Sequence, residues 1–119
     1  MKTPKTITSK SVQTKVANSI KADMEKAMSI FTYHDKVEYD VVINESSSTY
    51  KEVVVTSNFM LHNLYPAALT SLQEVMGRYE KKYDVYYSIE VRPLMKYEND
   101  EVKWDYIPAF VAVVGRQEA

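Results

Sequence analysis

The 119-residue sequence contains no cysteine. That absence excludes disulfide staples, thiol nucleophiles and zinc–thiolate centres. Glycine is almost as scarce, with Gly77 and Gly115 the only two. Phosphate-cradling loops need several glycines within a few residues, so nucleotide hydrolysis by a P-loop and glycine-rich dinucleotide binding are excluded. No apolar run approaches the roughly 20 residues that a membrane-spanning helix needs. The opening MKTPKTITSK carries no apolar signal-peptide segment. A cytoplasmic protein without membrane contact is therefore expected. An excess of either charge is missing too: 15 basic residues face 16 acidic ones, for a net charge of −1. Binding to duplex nucleic acid draws most of its affinity from counterion release by basic side chains. The overall balance argues against that mode, although it leaves room for a local patch.

What is present points to one globular domain. Hydrophobic residues make up 45% of the chain and charged residues 26%, both ordinary for a folded protein. At this length, folding buries roughly two-thirds of the unfolded surface. Residues 1–15 hold Lys2, Lys5, Lys10 and Lys15 and no acid. With Pro4 and several Thr and Ser between them, residues 1–11 are expected to form a flexible basic tail. Residues 12–119 are expected to form the domain.

From Val12 the apolar positions follow a helical period. Val12, Val16, Ile20, Met24, Ala27 and Phe31 recur at steps of four or three, one face of a helix that fades near Phe31. KVEYDVVINE then alternates, with Val37, Tyr39, Val41 and Ile43 on one side, as a half-buried strand does. The polar ESSST forms a loop and YKEVVVTS returns, which completes a hairpin. A second stripe follows: Leu61, Leu64, Tyr65, Ala68, Leu72, Val75, Met76 and Tyr79. Pro66 fits only a first helical turn, so this helix starts at about that residue. KKYDVYYSIEVRP alternates again, with Tyr83, Val85, Tyr87, Ile89 and Val91 facing one way. Pro93 marks a strand end, an edge or a bulge. VKWDYIPAFVAVVG forms the last strand. Its run from Phe110 to Val114 is apolar on both faces, the mark of a central or interface strand.

The element order αββαββ with these stripes predicts an α+β two-layer sandwich, a four-stranded antiparallel sheet with both helices on one face. The outer sheet face then carries Glu38, Asp40, Asp84, Tyr86, Glu90 and Arg92, with Glu52, Lys103 and Asp105 by continued parity. This predominantly acidic surface suits a polyanion poorly. Tyr39, Tyr83, Tyr87, Trp104 and Tyr106 share the apolar side, so the tyrosines of KKYDVYYSIEVRP read mainly as core or rim.

Motifs for chemistry are sparse. His34, Asp35 and His62 lack the spacing that places metal ligands on one helix face, and read as loop or cap residues. Glu38 and Asp40 share a strand face, a spacing open to acid–base work or a hard cation, but surface strand acids also discourage edge pairing. The SSS at 46–48 fits a loop. Met24, Met28, Met60 and Met76 fit gaps between helix and sheet. No catalytic, cofactor or metal residue is assigned.

The expected function is therefore a non-enzymatic protein-binding module, self-associating as a homodimer. Such a module would regulate or inhibit a larger protein machine, in the style of small phage or mobile-element proteins. Its surplus of Tyr and Trp and its doubly apolar last strand suit an interface, for which Tyr86, Arg92, Trp104, Tyr106, Phe110, Val111 and Val113 are the candidates. The alternative is a single-stranded nucleic-acid-binding protein that uses Lys2, Lys5, Lys10, Lys15, Arg78, Lys81 and Lys82.

Overall fold

A computed structural model describes residues 3–35, 39–45, 49–57 and 66–117, without the side chains of 32–35, 57, 66, 94–96 and 105–107. The elements run α1 (Lys10–Asp35), β1 (Tyr39–Asn44), β2 (Tyr50–Ser57), α2 (Pro66–Glu80), β3 (Val85–Glu98) and β4 (Glu101–Gly115). All strand pairs are antiparallel and the sheet order is β1-β2-β4-β3. Both helices pack on one face. Val16, Ala17, Ile20, Met24 and Met28 of α1 and Ala68, Leu72, Val75 and Met76 of α2 meet Val41, Val53, Val55, Val85, Phe110, Ala112 and Val114 of the sheet. The predicted two-layer α+β sandwich is the observed fold.

Ends and turns follow local chemistry. The Ser9 hydroxyl accepts a hydrogen bond from the Val12 amide at 3.2 Å, a side-chain cap that starts α1 two residues before Val12. The helix continues past Phe31 to Asp35, so His34 lies in its last turn and not in a loop. Pro66 opens α2, as its missing amide proton favours. Asn99 and Asp100, with φ of 51° and 63°, make the two-residue turn between β3 and β4, the conformation that matches strand twist in tight hairpins and that Asn and Asp tolerate. Leu61, Leu64, Tyr65, Met60 and His62 lie outside the described residues, as do Val37 and Glu38.

The final strand is central, between β2 and β3, which explains its apolarity on both faces. Its pairing with β2 ends at Ala109, opposite Thr56, while its pairing with β3 continues from Pro108 to Glu101. Pro108 lies at the point where the ladder toward β2 stops. Pro93 lies on β3, an edge strand, where one side of the backbone has no ladder to support. The strand therefore passes through Pro93 instead of ending there. Beyond Pro108 the β3–β4 hairpin projects as a two-stranded arm. The molecule measures 50 × 31 × 18 Å, and its radius of gyration of 15.4 Å exceeds the ~13.5 Å of a compact chain of this length.

Within residues 3–11, a stretch expected to be free, Lys5 and Ile7 are tied to the domain. The Lys5 amide donates to the Lys82 carbonyl at 3.0 Å, and the Asp84 amide donates to the Lys5 carbonyl at 2.9 Å. The Gln117 amide donates to the Ile7 carbonyl at 2.9 Å, and the Ile7 side chain is 3% exposed within the core. One apolar residue in a polar stretch has no period to reveal it; backbone pairing in the fold places it. Just behind it, the buried Gln13 amide group donates to the carbonyls of Val114 at 2.9 Å and Thr49 at 3.2 Å. This ties α1 to the ends of β2 and β4. Val12, expected in the buried stripe, is 40% exposed. Between the helices, the Tyr79 hydroxyl donates to Asp23. Burial, then that carboxylate, push its pKa up to about 12.

Ile7→Ala is expected to lower unfolding stability by about 2–4 kcal/mol, the range for a large-to-small core change; a free tail would leave it unchanged. Gly77→Ala is expected to raise it by about 0.5–1 kcal/mol, because a methyl group there meets nothing within 4 Å. Urea unfolding of the two variants against the parent measures both.

Candidate interaction surfaces

The sheet register divides the exposed residues into two faces. On the helix side of the hairpin, Ile89 pairs with Phe110, Val91 with Pro108, Pro93 with Tyr106, Met95 with Trp104 and Tyr97 with Val102. Cross-strand partners point to the same face. The core covers Phe110 completely, but Ile89, Val91, Tyr97, Val102 and Trp104 are 47–73% exposed. Lengths explain the difference. The 26 residues of α1 span about 39 Å and the 15 of α2 about 22 Å, whereas the 15 residues of β4 span about 50 Å. The arm thus carries the apolar face of the sheet past the end of its helical cover. Its reverse is charged: Glu98, Glu101 and Lys103 are exposed there, and Lys103 pairs with Glu98 at 3.5 Å.

The opposite face of the four-stranded region holds an ion network over an apolar strip. Arg92 donates through Nη2 to Glu52 at 2.9 Å and through Nε to Glu90 at 2.8 Å. Asn44 donates to Glu52 at 3.2 Å, and the Ser88 hydroxyl donates to Glu90 at 3.0 Å. Ser88, then Arg92, hold the Glu90 carboxyl below its usual pKa, and the bond to Glu52 raises that of Arg92. Beneath lie Val54, Ala109 and Val111, all buried, with Val113 half-buried against them. At the end of the sheet away from the arm's tip, a cavity of about 530 Å³ on this face is lined by Glu52, Asp84, Tyr86, Glu90, Arg116 and Thr6, among others. Its charge is mixed.

The seven interface candidates do not form one patch. Trp104 and Phe110 belong to the helix side; Tyr86, Arg92, Val111 and Val113 belong to the reverse. Phe110 and Val111 are fully buried and offer no contact area, because β4 is covered on both faces. Phe110 stacks on Tyr87 with ring centroids 4.7 Å apart. Trp104 and Tyr86 are each 60% exposed, Arg92 is committed to Glu52 and Glu90, and the Tyr106 side chain lies outside the described residues. Sequence reasoning missed Ile89, Val91, Tyr97 and Val102 as surface residues. The signal was available in an alternation that runs on through Pro93 to Tyr97. The tyrosines of KKYDVYYSIEVRP divide as read: Tyr83 and Tyr87 pack against the core, and Tyr86 stands on the outer face.

Of the basic candidates, the fold brings Lys5, Lys81 and Lys82 to one groove. Lys10 and Lys15 lie on α1 and Arg78 in the last turn of α2, all exposed; Lys2 is outside the described residues. Asp40 is exposed on β1, while Glu38 and His62 are undescribed and the His34 and Asp35 side chains likewise. Among the described residues no group of three or more His, Asp or Glu side chains is placed to hold a metal ion, and no helix is long and apolar enough to cross a membrane. No protein-family model, curated protein or solved structure matches the chain.

Arg92→Met is expected to cost about 1–3 kcal/mol, because it leaves the buried Glu52 carboxylate short of its cation. The double variant Glu52→Leu/Arg92→Met is expected to be more stable than Arg92→Met alone, since removing both charges removes the uncompensated one. Denaturant unfolding of the parent, both single variants and the double variant checks this as a thermodynamic cycle.

Proposed function

We propose that the chain is a self-associating protein-binding module whose contact surface is the apolar side of the β3–β4 arm. Two copies pack arm against arm about a two-fold axis. The observation that carries this reading is the exposure of Val91, Tyr97, Val102 and Trp104 on the helix side of a two-stranded ribbon, continued by Ile89 at its base, with Glu98, Glu101 and Lys103 exposed on the reverse. An isolated two-stranded ribbon is marginal in water, so a covered apolar face is what makes the arm's length affordable.

A second copy suits this face for two reasons. No charged side chain belongs to it by register, so like meets like without repulsion, and Glu98, Glu101 and Lys103 remain in water. The five side chains expose roughly 600 Å² per copy, given that aromatic residues contribute 150–250 Å² each when fully buried. Two copies then bury on the order of 1,200 Å², the lower bound of a specific interface. Tyr97 and Trp104 are the anchor types that dominate such contacts. The opposite face of the sheet stays open in this dimer. A module of this build acts by occupying the surface of a larger protein assembly, as a regulator or inhibitor.

Sedimentation velocity over a range of concentrations tests the reading. The parent is expected to sediment as a dimer. Tyr97→Lys and Trp104→Lys are each expected to weaken association by roughly 30-fold or more, the effect of losing a hot spot of about 2 kcal/mol. Neither should lower the unfolding midpoint of the monomer, because neither side chain is in the core. A parent that remains monomeric at high concentration, or variants that associate as tightly as the parent, would overturn it.

A further inference from the structure

The opposite end of β3 carries a different feature. Lys5, Lys81 and Lys82 line a groove of about 530 Å³ together with Thr3, Thr6 and Tyr83. No carboxylate is part of its lining; the neighbouring Asp84 lines the cavity on the outer sheet face instead. Three lysines thus share one lining in a chain whose acids outnumber its bases. Lys81 and Lys82 follow the C-terminus of α2, where the helix dipole favours cations. That accounts for two of the three. It does not account for Lys5, which arrives from the other end of the chain.

Lys5 is held there by its own backbone. Its amide and carbonyl bond to Lys82 and Asp84, in a parallel bridge to Tyr83, and Ile7 anchors the segment two residues later in the core. An anion in the groove is attracted by all three lysines. Threonine hydroxyls and the Tyr83 phenol add neutral donors that complement oxyanions.

We propose that this groove is an anion site for a phosphate group, held by the ammonium groups of Lys5, Lys81 and Lys82. The phosphate is supplied either by the backbone of a single-stranded nucleic acid or as a free phosphate ion. The site is separate from the arm, since 14 residues of β3, about 45 Å of extended chain, separate the groove from the arm's tip. Arm-to-arm association leaves it open.

Two titrations of the full chain test the proposal. In one, a fluorescein-labelled oligothymidine is followed by anisotropy at 50 and 200 mM NaCl; in the other, inorganic phosphate is followed by calorimetry. The variant Lys5→Gln/Lys81→Gln/Lys82→Gln is compared with a charge-matched control, Lys21→Gln/Lys26→Gln/Lys103→Gln. None of the six side chains is buried, and equal unfolding midpoints establish that both variants fold. If nucleic acid supplies the phosphate, the parent and the control bind the oligonucleotide. The groove variant then binds at least tenfold more weakly, and its salt slope is smaller by about 2, the counterions that three single-strand contacts release. If free phosphate is the ligand, the parent and the control bind phosphate, the groove variant loses it, and the oligonucleotide does not bind. Absence of binding to both probes, or equal losses in the groove variant and the control, overturns the proposal.

Discussion

The structure is organised by the pairing of β4 with two strands over one half of its length and with a single strand over the other. From Ala109 to Val114 it is paired on both sides, and it is covered by helices on one face and by the Arg92 network on the other. An apolar run is stable there because its side chains are buried, apart from the half-buried Val113. Toward Glu101 the partnership with β2 ends, at the position where Pro108 brings no amide proton. From that point the hairpin keeps the sheet's alternation without its cover. The buried core and the exposed apolar arm are thus two consequences of one pairing pattern.

The two faces solve the burial problem differently. On the helix side, area does the work: seven sheet residues and nine helical ones fill one continuous cluster with Ile7. On the reverse no second layer exists, and a short apolar strip is closed by long polar side chains. Glu52 is nearly buried and satisfied by Arg92 and Asn44. Such a network stabilises little by itself, because desolvation offsets its attraction. It covers the buried strip with polar atoms, while Val42, Tyr50 and Tyr86 stay exposed on the reverse face and the arm exposes its apolar side chains on the helix side.

The N-terminal segment closes the end of the sandwich opposite the arm. Ser9 caps α1, Gln13 holds β2 and β4 through their terminal carbonyls, and Ile7 completes the core. Ser9 and Gln13 are residue types that composition alone places on the surface, and Ile7 stands in an otherwise polar stretch. Because the segment also bridges to Tyr83, it carries Lys5 to the two lysines that follow α2. Packing at this end therefore creates a local positive charge that the net charge of the chain conceals.

Periodicity alone determined the class and order of the elements: α1 and α2 from stripes at steps of three and four, the strands from alternation, and the central position of the last strand from its two apolar faces. These properties are local, since a side chain's direction follows from the residues within a few positions of it. Which residues end exposed was decided only in three dimensions. Phe110 and Trp104 have the same parity on one strand, yet one is fully buried and the other 60% exposed, because the helical layer covers only part of β4. Lys5 and Ile7 gain their places from backbone bonds to residues more than 70 positions away. A pattern read along the chain tells which way a side chain points; what stands in front of it is set by the tertiary contacts of distant segments.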